Sequence, residues 1–161
     1  MGIISRFKDI MSANINALLD KAEDPEKMID QYLRNLEGDL AKVKQETASV
    51  MAEEAKAKRQ LDECTAEVAK MQSYAEKAVL AGNDEDAKRF LMKKKELVVK
   101  QTSLQETYTL AAENAAKMRQ MHQKLVGDIS QLNSRRDAIK AKIAVAKTQQ
   151  TINKIGASVD G

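Results

Sequence analysis

The chain has 161 residues, and its 27 Lys+Arg against 24 Asp+Glu give a formal net charge of +3. Charged residues make up 32% and aromatics 3%, with no Trp, one Pro and six Gly. That composition excludes β-sandwiches, whose strands and turns need the residues missing here. A single Cys likewise excludes an internal disulfide framework and suits a reducing compartment. Ala, Glu, Lys, Gln, Leu and Met dominate, as they do in long helices and coiled coils.

The first predicted element is an amphipathic helix over residues 1–22. On a helical wheel Ile3, Ile4, Phe7, Ile10, Met11, Ile15 and Leu18 fall within about 140° of arc. Ser5, Asp9, Ser12, Asn16 and Asp20 take the opposite face, with Arg6 and Lys8 near its edges and Asn14 and Lys21 interrupting the apolar side. A helix of this kind lies in a bilayer interface with its basic side chains toward anionic headgroups, or packs on protein. No stretch approaches the ~20 apolar residues of a spanning helix, and the short apolar stripe lacks a signal-peptide core. Met1-Gly2 opens as a myristoylation site would, but Arg6 stands where that motif needs Ser or Thr.

Asp24-Pro25 starts the next helix, since Asp24 caps and Pro25 has no N–H to leave unpaired. It runs over about 25–81 with a 4-3 spaced seam of Ile29, Leu33, Leu36, Leu40, Val43, Val50, Ala57, Leu61, Cys64, Val68, Met71, Ala75 and Ala78. Thr47 and Glu54 interrupt it. Gly82-Asn83-Asp84 is a turn, followed by acidic residues that suit a helix start. The last helix, about 85–154, repeats the spacing through Phe90, Leu97, Leu104, Tyr108, Ala111, Ala115, Met118, His122, Leu125, Ile129, Leu132, Ile139, Ile143 and Ala146. Lys94, Gln101 and Arg136 break this seam, and residues 156–161 read as a frayed tail. A 3.5-residue period held this long predicts a coiled coil.

Folding back at Gly82-Asn83 pairs residues whose numbers sum to about 165, and every seam position then meets a seam position. Leu33 faces Leu132, Leu36 faces Ile129, Leu40 faces Leu125, Leu61 faces Leu104, and Val68 faces Leu97. The predicted fold is all-α: a short N-terminal amphipathic helix, then a long antiparallel coiled-coil hairpin over 25–155, with an arm of about 80–85 Å. The second long helix overhangs the first, so Ile139, Ile143, Ala146, Ile152 and Ile155 form an apolar stripe without an intramolecular partner, a candidate assembly surface. Gly38 and Gly127 lie at one height on outward positions, at a cost of about 1 kcal/mol each in helix propensity. A bend, a close neighbour or a neutral accident all fit them.

The opening residues Met1–Met28 resemble the N-terminus of the phage shock protein A family, which includes the vesicle-inducing protein of plastids and is related to ESCRT-III. The resemblance rests on MGI-x-SRF, on NINALL at Asn14–Leu19, and on AEDPEKM across the helix break. Hairpin length and its charged tip, Gly82 to Leu91, extend it over essentially the whole chain. It implies self-assembly into rings, rods or filaments that bind anionic, stressed bilayers and maintain or remodel them. It also implies a cytoplasmic protein, peripheral on the inner face of the cell membrane. Family members usually continue into one or two further helices that pack on neighbouring hairpins. This sequence stops at Asp160-Gly161, where those would begin, as a truncated chain or a short paralogue would. The family's restraint of a transcription activator has no residue here to carry it, so a regulatory protein partner stays unidentified.

Enzyme chemistry finds little to stand on. No G-x-x-x-x-G-K-[ST] loop occurs, so no cofactor or nucleotide site is expected. His122 with Met118 and Met121 reads as seam packing rather than a soft-metal site. Cys64 has no base beside it, His122 lying about 30 Å along the rod. Glu54 fixes register or snorkels to solvent. Lys93-Lys94-Lys95 with Arg89 and Lys100 lacks the interleaved aromatics of a single-strand binder, so no nucleic acid is expected. A membrane scaffold leads, and a soluble coiled-coil adaptor whose N-terminal helix docks on protein is the alternative.

Overall fold

The structure, a computed structural model, describes residues 2–160, and side chains as far as Ala157. Met1 and Gly161 lie outside the described residues, as do the side chains of most of the expected tail. A 3-10 turn, Ile3–Arg6, leads into α1 (Phe7–Ser12) and α2 (Ile15–Asp20), followed by α3 (Pro25–Leu80) and α4 (Asp84–Asp160). The helix expected to end near 154 continues to Asp160. Gly156 costs propensity but removes no hydrogen bond, so it does not stop a helix.

Local chemistry fixes the ends. Asp24 Oδ1 accepts from the Lys27 backbone N–H at 3.3 Å, capping α3. At the other end the Asn83 N–H reaches the Ala78 carbonyl at 2.8 Å and the Gly82 N–H reaches Val79 at 3.0 Å. This is a Schellman closure, and its pivot, Gly82, sits at φ +77°, where a side chain would be strained. Asn83 Oδ1 then accepts from the Asp86 N–H at 3.1 Å, so one residue past Gly82 the next helix is already capped.

The chain divides into two compact units, to each of which both long helices contribute. The turn unit, Gln45–Arg119, is a two-helix antiparallel hairpin. Tyr74 and Phe90 pack with ring centroids 5.4 Å apart. The Lys94 ammonium donates to Gln72 Oε1 at 2.7 Å, and Gln101 Nε2 donates to Thr65 Oγ1 at 2.9 Å. These pairs have number sums of 164 to 166, matching the antiparallel register. The two polar interruptions of the α4 seam within this unit therefore find a partner across the pair. Apart from Met118, this two-helix unit buries only small side chains: Ala57, Cys64, Ala75, Ala78, Ala87 and Ala115 are buried, while Leu61, Val68, Leu97 and Leu104 stay half-buried. Ala87 extends the α4 seam one position before Phe90.

The terminal unit, residues up to Lys44 with those from Gln120, has an added layer. Ile15, Leu19, Ile29, Leu33 and Leu132 form a buried cluster, with Met28, Tyr32, Leu36, Ile129 and Ile139 packed around it. Ile139 is thus not part of an unpartnered stripe, because the start of α3 and the docked α2 reach far enough to cover it. Ile143, Ala146, Ile152 and Ile155 do remain exposed. His122 is exposed too, and Met121 takes the buried place expected for it. The cause is the third layer: it covers a flank of α4 beside the seam, so Met121 and Asp128 are buried although neither occupies a seam position.

Candidate functional site

The N-terminal segment is the candidate site, and it is not one continuous helix. Ala13 is extended at φ −64°, ψ 130°, and Asn14 caps α2 by accepting from the Ala17 N–H at 3.1 Å. Asn caps better than it sits in a helix interior, because its side chain replaces a backbone acceptor. Asn14, which interrupts the apolar side of a continuous helix, is the cap at which the helix restarts.

The break changes which side chains share a face. Ile3, Ile10, Ile15 and Leu19 are buried, whereas Ile4, Phe7 and Met11 are half-buried. Leu18, assigned to the apolar arc of a continuous helix, is 43% exposed, while its neighbour Leu19 is 1% exposed. Burying four aliphatic side chains contributes about 6–12 kcal/mol gross, which the ordering of the segment offsets in large part. Arg6 and Lys8 were both placed at the polar margin. Lys8 is exposed, and Arg6 reaches back to α3.

Three polar contacts hold the segment down. Arg6 Nη2 donates to Asp39 Oδ2 at 3.1 Å. Lys124 Nζ donates to both oxygens of Asp128, at 2.9 and 2.7 Å, and to the Ala13 carbonyl at 2.9 Å. Arg135 contacts Asn16 Oδ1 and Asp20 Oδ1, each at 3.5 Å. Asp39 and Asp128 are buried, and a buried carboxylate is tolerated only when paired. The Lys124 contact satisfies the very carbonyl that the helix break leaves without an intrahelical donor. Sequence reasoning missed both acids. The available signal was position: each directly follows one of the two level glycines, Gly38 and Gly127. Those glycines face open space, with nothing within 4 Å of a Cβ added at either.

The other features weighed in the sequence stay apart from this site. Cys64 is buried in the turn unit, its thiol donating to the Leu97 carbonyl at 3.4 Å. Among the described residues no group of three His, Cys, Asp or Glu could hold a metal ion. None of the described helices is long and apolar enough to cross a membrane. Near the turn, Val79, Leu80, Leu91, Met92 and Val99 are exposed apolar side chains outside the seam.

The PspA/IM30 family matches residues 2–160. This chain belongs to that family. It is 64% identical to the phage shock protein A homolog of Bacillus subtilis, over 99% of this chain and 70% of that protein. It is 28% identical to the membrane-associated protein Vipp1 of Nostoc punctiforme, over 94% of this chain and 59% of that protein. With Vipp1 of Synechocystis the identity is 29%, over 98% of this chain and 61% of that protein. The PspA/IM30 chain described here therefore spans about three-fifths of the Vipp1 proteins it matches.

Proposed function

We propose that this chain is a membrane-associated stress-response protein, acting as a self-assembling peripheral scaffold that binds anionic or stressed bilayers and maintains or remodels them. In this reading residues 1–22 are the lipid probe, with Ile3, Ile4, Phe7, Ile10, Met11, Ile15 and Leu18 entering the interface while Arg6 and Lys8 meet headgroups. The hairpin is the strut for rings, rods or filaments. Ile143, Ile152 and Ile155, with Ile139 at the edge of the terminal core, are the assembly surface together with exposed apolar side chains near the turn. The working location is cytoplasmic, on the inner face of the cell membrane, and the reading assigns the chain no catalysis.

The observation that carries it is the N-terminal segment itself: an apolar arc with basic margins at the head of a chain whose family relatives are named membrane-associated. Its test is co-sedimentation with vesicles of increasing anionic lipid content, using the intact chain, Phe7→Asp and a deletion of residues 1–22. Anionic-dependent binding lost in both variants is expected. Equal binding by all three would sink the assignment and point to α4, whose 15 Lys and Arg against 9 Asp and Glu make it basic. One observation favours the alternative of a soluble adaptor or regulator: Ile3, Ile10, Ile15 and Leu19 already face protein. A defined oligomer indifferent to lipid would support that alternative.

A further inference from the structure

We infer that the N-terminal segment is a two-state latch: broken at Ala13-Asn14 and docked by Asp39, Lys124 and Arg135, or undocked as one continuous helix with a different apolar face. The continuous state is the lipid-binding one, so this inference rests on the membrane reading above.

The two states use the same residues incompatibly. In an unbroken helix Leu18 completes the apolar arc and Leu19 lies outside it. Docked, Leu19 is buried and Leu18 is exposed. No single rigid helix satisfies both sets, so the segment cannot present its lipid-facing arc without leaving the hairpin. The polar contacts are divided the same way. Docked, Arg6 is engaged by the Asp39 carboxylate; on a bilayer its guanidinium is free for lipid phosphate, which it binds by the same charged fork. Docked, the Ala13 carbonyl accepts from Lys124 and the Ala17 N–H donates to the Asn14 side chain. In a continuous helix these two backbone groups bond each other, since they are four residues apart. Both groups are therefore satisfied in either state, which is what allows two discrete arrangements rather than a gradual loosening. Anionic lipid shifts the balance by binding only one of them.

Asn14→Ala in the full chain tests this, because Asn14 is exposed and touches the balance without opening the core. The substitution removes the cap of the broken state and raises the helix propensity of the continuous one. Amide exchange over 15–20 without lipid is expected to accelerate about fivefold or more. The lipid concentration for half-maximal binding to phosphatidylcholine vesicles enriched in phosphatidylglycerol is expected to fall by a similar factor. On vesicles the Ala17 amide of the variant is expected to be protected again, now by Ala13. Arg135→Gln, which loosens the latch from a half-buried position on α4, should act in the same direction.

Unchanged exchange in both variants overturns the latch. Faster exchange with unchanged or weaker vesicle binding overturns its inhibitory role. If neither the parent nor any variant binds vesicles, the membrane reading fails and the inference falls with it, while the exchange data still report whether the segment undocks.

Discussion

Replacing Leu132 by Ala separates a three-layer core from a two-helix seam. Leu132 is fully buried among Ile15, Leu19, Ile29 and Leu33, whereas Leu104, in the same kind of seam position of the turn unit, is half-buried. Truncating a fully buried Leu costs about 3–4 kcal/mol, as lost transfer energy plus a residual cavity. At Leu104 the side chain is already partly in water and the site opens to solvent rather than forming a void, so about 1–2 kcal/mol is expected. The difference of about 2 kcal/mol belongs to the docked N-terminal segment. It should therefore disappear when Leu132→Ala is made in a chain lacking residues 1–22, which completes a double-mutant cycle. Urea unfolding supplies the totals, and amide exchange resolves the terminal unit from the turn unit. Equal costs for Leu132→Ala and Leu104→Ala in the intact chain would refute the claim that α1 and α2 form a third layer. A difference that survives the deletion would assign it to the seam instead.

Other substitutions test single features. Gly82→Ala should destabilise the turn unit by about 1 kcal/mol through its positive φ alone, seen as a lower melting temperature, because no atom lies within 4 Å of the added Cβ. Gly38→Ala and Gly127→Ala should each raise stability by about 0.5–1 kcal/mol in thermal melts; a loss of self-association in either would reveal a neighbour packed against that glycine. Arg136→Met should be neutral or stabilising by up to about 1 kcal/mol in urea titrations, since Arg136 Nε is buried without a partner among the described residues. Asp24→Ala should cost about 1 kcal/mol and fray the first turn of α3, read as faster exchange at Lys27.

The long helices were legible because their signals are local and repeated. A 3.5 period cannot be mistaken over so many turns, and Asp24, Gly82 and Asn83 act on backbone within a few residues of themselves. Register was legible for the same reason: Leu33 with Leu132 follows from matching two seams, and Gln101 reaches Thr65, one residue from the seam position opposite it. The N-terminal segment was harder. Its composition announces amphipathicity, but Asn14 has two uses, helix interior and cap, and only the surface it meets decides between them. His122 and Met121 show the same limit. A heptad describes one face of a helix, and a third layer over a second face shifts burial by one residue. Asp39 and Asp128 were hard to read because an acid beside a seam is normally solvated: Asp39 meets Arg6 from the N-terminal segment, and Asp128, paired with Lys124 one turn earlier on the same helix, lies beside the docked Ala13.

Cys64 carries a practical consequence. It is the chain's single cysteine, and its sulfur is buried against the Leu97 carbonyl. A thiol reagent reaches it only while α3 and α4 are parted there, so the alkylation rate is a clock for separation of the turn unit. Oxidation obeys the same gate. A disulfide-linked dimer collected from an oxidising solution would record that two seams had opened, not that two intact hairpins lay side by side.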